Sequence, residues 1–254
     1  MKELSWCSPG KQNNYNIYKT KKNEQTLSHT DLKHHIPDPP TYFGIIAAMS
    51  KNRVIGIDGK LPWKVPIDRT YFEKVANQKV LILGKTTFHE SNNGAHVSFA
   101  RCCIVVSKTL TENPPKHDPT RIHFVSSFSD ALGLARHLEN TQKQHDVVKK
   151  SHEVNEHEKQ SLEIDCWIAG GERIYEEALR HKSAQELHLT RIDMDVNIDD
   201  KELSSFARFP ARYRWDNIFK LYREWEIEGV DMNNKNRSHN CMFQIYHRQR
   251  RKSI

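Results

Sequence analysis

Tyr42-Phe43-Gly44-Ile45-Ile46-Ala47-Ala48, then Val54-Ile55-Gly56, then Ile57-Asp58-Gly59-Lys60 and Leu61-Pro62-Trp63, and, after Pro66, the segment 68–72 form the stretch that decides the reading of this chain. The apolar run has the composition of a buried strand. Asp58-Gly59 marks a turn. Asp68 opens an amphipathic segment, and alone it reads as a helix N-cap.

Working outward, residues 68–77 place Tyr71, Phe72 and Val75 on one helical face. Residues 79–83, 101–106 and 121–125 are short apolar strands of the fully buried kind. Residues 128–138 carry Ala131, Leu132, Ala135 and Leu138 at helical spacing. A strand over 164–169 runs into Gly170-Gly171 and a helix over 172–180, and 186–192 alternates polar and apolar as a half-buried strand does. Strands over 222–228 and 241–247 fit a closing antiparallel pair. Strands alternating with helices imply crossover connections. The expected fold is α/β: one domain with a central, mostly parallel sheet flanked by helices, and a C-terminal antiparallel hairpin.

That domain is expected over 41–254. Residues 1–40 are polar, end in Pro37-Asp38-Pro39-Pro40, and read as a disordered extension. Residues 140–162 are wholly polar and read as an exposed insertion after the 128–138 helix. A hydrophobic fraction of 37% and a mean hydropathy of −0.78 agree with polar segments added to a compact core. No stretch approaches the ~18 apolar residues of a membrane helix, and the N-terminus lacks a secretory pattern. Five cysteines without a Cys-x-x-Cys pair argue for free thiols in a reducing compartment, so a cytoplasmic location is expected. The net charge of +7 is spread among interleaved acids, apart from Arg248-Gln249-Arg250-Arg251-Lys252. It suits steering of an anionic substrate better than a nucleic-acid surface. The histidines at 29, 34 and 35, and those at 145, 152 and 157, read as solvated, and no metal is implied.

Three places after strands have phosphate-binding chemistry. Gly170-Gly171 offers close backbone approach and free amides at a helix start, and it serves equally as a tight turn. Lys85-Thr86-Thr87 and Ser107-Lys108 each combine hydroxyls, amides and a cation, and each is also an ordinary surface turn. Arg101, before an apolar strand, is by default a salt-bridge partner.

The ordered blocks Ile46-Ala47-Ala48, Arg53-Val54-Ile55-Gly56, Leu61-Pro62-Trp63, Pro66-Ile67-Asp68 and Tyr71-Phe72 together resemble the N-terminal part of dihydrofolate reductases. The likeness continues through 83–88, Arg101 with 106–108, Trp167 to Gly171 with Ile174-Tyr175, and 187–193, covering roughly 42–248. It implies NADPH-dependent reduction of 7,8-dihydrofolate to tetrahydrofolate, serving one-carbon and thymidylate metabolism, in a monomer that also binds antifolates. By this resemblance Asp68 holds the pterin, with Thr190 fixing its rotamer, while Leu61 and Trp63 end the mobile loop at the reacting centre. Ile46, Ala48, Phe72, Ala169 and Tyr175 line the pterin and nicotinamide slots, and Arg101 grips the carboxylate of the folate tail. NADPH is expected against Ala48, against Ile55, Gly56, Gly59 and Leu61 of the loop, and against Lys85, Thr86, Thr87, Ser107 and Lys108. Gly170, Gly171, Glu172, Arg173, Ile174 and Tyr175 complete its wall. A pyrimidine reductase of riboflavin synthesis, on the same fold, and a non-catalytic nucleic-acid-binding relative are the alternatives.

The chain departs from the family's pattern in three places. The approach to Arg101 is Gly94-Ala95-His96-Val97-Ser98-Phe99-Ala100 rather than the family's proline-led form. Asp199-Asp200-Lys201-Glu202 stands where a Thr-x-Phe-Pro segment is usual, with Phe209-Pro210 coming late, and Cys241 stands where an aromatic is common.

Overall fold

Strand β1 (Phe43–Ser50) is the hydrogen-bonded neighbour of β6 (Cys166–Ile168) on one side and β7 (Ala184–Ile192) on the other, both parallel to it. The computed structural model describes residues 42–92, 94–112, 116–150, 164–197, 206–211, 214–233 and 237–249, with backbone alone for 142–150. The expected extension at 1–40, and the insertion beyond 150, lie outside the described residues.

The remaining elements are β2 (Val54–Ile57), α1 (Pro66–Ala76), β3 (Val80–Gly84), α2 (Lys85–Glu90), β4 (Cys102–Val106), α3 (Lys108–Glu112) and β5 (Ile122–Val125). They continue with α4 (Phe128–Lys150), α5 (Glu172–Arg180), β8 (Phe206–Arg208), β9 (Phe219–Val230) and β10 (Ser238–Arg248). The main sheet runs β5-β4-β3-β6-β1-β7-β10-β9. All neighbours from β5 to β7 are parallel, and β10 is antiparallel to both β7 and β9. This is the expected mostly parallel sheet with its C-terminal hairpin. From β1 the chain passes over to β3, β4 and β5 on one side, and later to β7 on the other. The order thus reverses around β1 and β6, and in such sheets ligands bind at the carboxyl ends of the strands there.

Two apolar layers sandwich the sheet. Ile45, Ile82, Ile104, Ile168 and Leu179 belong to one, and Leu81, Leu83, Val105, Trp167 and Phe88 to the other. Each such large side chain, fully removed from water, contributes roughly 1.5–3 kcal/mol. Gly44 is required by this packing, since a β-carbon there would collide with the Trp167 ring.

Three expectations are corrected, and one strand lies beyond them. Asp68 is not an N-cap: Val65 caps α1 with Pro66 in the first turn, so Asp68 sits inside that turn and is buried. The helix after Phe128 runs to Lys150 rather than ending at 138, so the polar stretch begins as helical backbone. β7 is not half-buried, because Leu187, His188, Leu189 and Thr190 are all buried in a strand flanked by β1 and β10. The segment before Phe209-Pro210 forms β8, which pairs with β2 as a separate two-stranded sheet.

Candidate active site

Asp68 lies beside the loop that precedes α1. The Trp63 Nε1–H donates to its Oδ2 at 3.2 Å, and the Thr190 hydroxyl donates to the same carboxylate. Thr190 pairs in register with Ala48 on β1 and Phe243 on β10, so the centre of the sheet fixes its position. Asp68, Trp63 and Thr190 are all buried, and Leu61, two residues before Trp63, remains 43% exposed. Removal from water pushes the Asp68 carboxyl up to about 6, and the two donors and the Arg69 charge only partly offset this. A buried carboxylate near neutrality, steered by two donors, is equipped to hold a planar ligand with paired N–H groups and to influence a proton on it.

A polar network lies behind it. The Tyr71 hydroxyl is 2.8 Å from His188 Nδ1, and His188 Nε2 is 3.1 Å from Glu186 Oε2. His188 also meets Trp167 edge-on, with centroids 4.7 Å apart. The sequence reading missed His188 and Glu186. The signal available was a histidine at an inward position of β7, which alternation alone marks only as polar.

On the other side of β1, the Tyr175 hydroxyl donates to the Ile46 carbonyl at 2.8 Å. Gly170 has φ +100°, and a β-carbon there would meet the Tyr175 ring at 2.8 Å. The peptide between Gly170 and Gly171 is cis. The Gly84 N–H donates to the Gly170 carbonyl at 2.6 Å, joining the carboxyl ends of β3 and β6. Around that junction the predicted cofactor residues converge. A β-carbon on Gly171 would lie 3.7 Å from the Thr87 hydroxyl, and one on Gly59 would lie 3.3 Å from Thr86. Lys85 Nζ donates to Thr109 Oγ1 at 3.2 Å, and the Ser107 hydroxyl accepts from the Leu110 N–H at 3.2 Å. The Thr109 hydroxyl, 3.3 Å from that of Ser107, therefore joins Lys85 to Ser107.

The loop is tied down from behind. β2, carrying Ile55 and Gly56, pairs with β8, and the Arg208 N–H of β8 donates to Glu172 Oε2 at 2.9 Å. Glu172 thus links α5 to β8, while Ile174 and Tyr175 are buried against the core. Arg173, next along α5, is exposed.

Arg101 is placed elsewhere. It donates to Asp165 Oδ2 at 2.5 Å, and Lys79 Nζ is 3.9 Å from Oδ1 of the same carboxylate. These three residues immediately precede β4, β6 and β3, at the amino end of the parallel strands. The site residues following those strands lie at the carboxyl end. Arg101 is thus engaged by a residue 64 positions away.

The family profile described as "Dihydrofolate reductase" matches residues 42–139. Among known proteins, the chain is 28% identical over 206 residues to a dihydrofolate reductase of Buchnera aphidicola subsp. Acyrthosiphon pisum, covering 80% of this chain and 98% of that one. The profile match and the named relatives support the dihydrofolate reductase family for this chain. A second family member, from Drosophila melanogaster, is 26% identical over 179 residues, covering 68% of this chain and 82% of its own length. The fold matches that of the Enterococcus faecalis dihydrofolate reductase complexed with NADP(H) and RAB-propyl. Its TM-score is 0.56 at 19% identity, covering 83% of this chain and 98% of that one. These likenesses to the family do not favour the pyrimidine-reductase or nucleic-acid alternatives. No helix among the described residues is long and apolar enough to cross a membrane.

Proposed function

We propose that this chain reduces 7,8-dihydrofolate to 5,6,7,8-tetrahydrofolate with NADPH, as the family's name and the site chemistry together suggest. The observation that carries the reading is Asp68: a buried carboxylate held by Trp63 Nε1 and by Thr190 of the central strand β7. Two carboxylate oxygens match the paired N–H donors on one edge of a pterin, and burial strengthens that contact. The same negative charge favours protonation of the bound substrate at N5.

The residues at the carboxyl ends of β3, β4 and β6 fit a phosphorylated dinucleotide. Gly170 and Gly171 leave room for close approach, and Thr86, Thr87 and Ser107 supply donors. Lys85 and Lys108 suit the additional phosphate of NADPH. NADPH, when bound, supplies the hydride. The protein's part is to hold Ile46, Ala48, Ala169, Phe72 and Tyr175 as the walls of a dry slot and to close Leu61 over it, so that both reactants meet without bulk water. The reading takes the enzyme as a cytoplasmic monomer and a target for antifolates. The four described cysteines, all free and buried, agree with a reducing compartment. The test is spectrophotometric: oxidation of NADPH and of NADH by the purified chain, with and without dihydrofolate. Folate-dependent oxidation that prefers NADPH supports the reading, and its absence with both cofactors sinks it.

A further inference from the structure

His188 is a buried histidine in the middle of β7, and partners on two different elements engage both of its ring nitrogens. The Tyr71 hydroxyl of α1 lies 2.8 Å from Nδ1, and the Glu186 carboxylate lies 3.1 Å from Nε2. The bond from His188 holds Glu186 below the ordinary carboxyl value, so Glu186 is ionised and can only accept. The Nε2 proton therefore points at Glu186, and Nδ1 is left to accept the Tyr71 hydroxyl. A buried imidazole satisfied at both nitrogens is held in one orientation. Trp167 closes one side of the ring, edge-on at 4.7 Å, and His247 of β10 faces Glu186 Oε1 at 3.8 Å.

The same two surfaces carry Asp68 and Thr190. Glu186, His188 and Thr190 alternate along β7 and share one face of the sheet, in regular register with β1 and β10. Asp68 and Tyr71 are three residues apart on α1 and are neighbours on its surface. Helix and strand are thus joined by two directed contacts in parallel, Asp68 to Thr190 and Tyr71 to His188. Val65 caps α1 without a side-chain hydrogen bond, and Val65 and Ile67 lie over Gly229. The Tyr71 ring meets Trp225 and Phe243 edge-on. Apolar packing of this kind is non-directional, whereas a hydrogen bond weakens steeply when misaligned. The Tyr71–His188 bond therefore sets the rotation of α1 about its own axis.

We propose that His188, oriented by Glu186, is a positioning residue: through Tyr71 it fixes the rotation of α1 and so the setting of the Asp68 carboxylate against Thr190. The kinetic consequences rest on the dihydrofolate reading above, and the placement of Asp68 rests on geometry alone. The groups set against Asp68 include Trp63, Thr190, Arg69, Tyr175 and Cys241. His188 meets α1 nearly one turn further on, at Tyr71, and acts through position. Releasing α1 admits water to Asp68. Burial is the largest cause of its raised value and outweighs the Thr190 bond, so its pKa falls from about 6 towards 3.8.

The experiment uses two substitutions and their combination. Tyr71→Phe keeps the ring against Trp225 and Phe243 and removes only the hydroxyl, while His188→Leu removes both bonds at similar bulk. Each should lower kcat for dihydrofolate about fivefold, the scale of one buried hydrogen bond, and leave the KM for NADPH within error. Each should also move the acidic limb of the pH–rate profile to lower pH. The double variant should be no slower than His188→Leu alone, since the two residues act through one bond. A second measurement needs no substrate. Asp68 is raised in the folded state, so wild-type stability falls as pH rises from 3.8 to about 6. In His188→Leu that fall should be smaller. Variants that only melt earlier, with kcat, the acidic limb and the stability fall unchanged, overturn the proposal, and so do additive losses in the double variant. A wild type that reduces no dihydrofolate removes the functional reading instead, and the stability measurement then decides the placement of Asp68 alone.

Discussion

Replacing Asp68 by asparagine is expected to raise stability while lowering turnover. The carboxyl is raised from 3.8 to about 6, with burial as the largest cause. A carboxyl raised in the folded state binds its proton more tightly there than in the unfolded chain. Across the window from about 4 to about 6 the folded form therefore holds the extra proton, and stability falls as pH rises through it. A gap of about two pH units corresponds to roughly 3 kcal/mol by neutral pH. Asparagine has no charge to desolvate, and its carbonyl still accepts from the Trp63 indole. Asp68→Asn should thus be more stable than the wild type by on the order of 1–3 kcal/mol at pH 7, with the difference shrinking towards zero near pH 4. Denaturant unfolding at the two pH values measures this. Dihydrofolate reduction at pH 7 should fall by on the order of 10²-fold or more and recover partially in acid, where solvent protonates more of the substrate. A variant less stable at pH 7, or one whose advantage does not change with pH, would refute the desolvation argument. Near-normal turnover at pH 7 would refute the role given to the carboxylate.

Trp63→Phe removes a donor that lowers the Asp68 pKa, so the acidic limb of the pH–rate profile should move to higher pH while NADPH affinity, followed by fluorescence titration, holds. Thr190→Val should move the profile in the same direction. Changing Lys85 and Lys108 together to alanine should raise the KM for NADPH by about tenfold and leave that for NADH little altered; an equal loss with both cofactors would mean that neither lysine meets the extra phosphate. Gly170→Ala must place a β-carbon 2.8 Å from the Tyr175 ring at a φ of +100°. Thermal melting should show a loss of about 2 kcal/mol or more, and an unchanged melting temperature would show that Tyr175 can retreat.

What was legible in the sequence was local. Helix α5 begins at Glu172 and ends at Arg180, as its flanking glycines and periodicity indicate. The strands β3 and β4 announce themselves because they are buried on both faces and need no alternation, whereas β5, expected to be fully buried as well, is the half-buried edge of the sheet. β7 misled for the opposite reason. Glu186 and His188 are polar yet turned inward, satisfied by each other and by Tyr71, so the pattern imitates a solvated face. β8 was missed because three residues, Phe206-Ala207-Arg208, carry no period at all; pairing with β2 alone makes them a strand. The site divides in the same way. Asp68, Thr190 and the glycine pair follow from motif and place, whereas the partners of Arg101 and Glu172 come from residues 64 and 36 positions away, and no spacing rule reports them.

The ion pairs of Asp165 with Arg101 and Lys79 have a consequence for how this protein can change. The parallel sheet has one rim where charges clamp strands together and an opposite rim where strands end in glycines, hydroxyls and lysines. On the function proposed above, drift at the first rim is filtered by whether the chain still folds, and drift at the second by whether a ligand still fits. A lineage, or a directed-evolution campaign, can therefore gather heat-resisting substitutions around Asp165 and specificity-altering ones around Lys85 and Ser107, with little interference between the two sets.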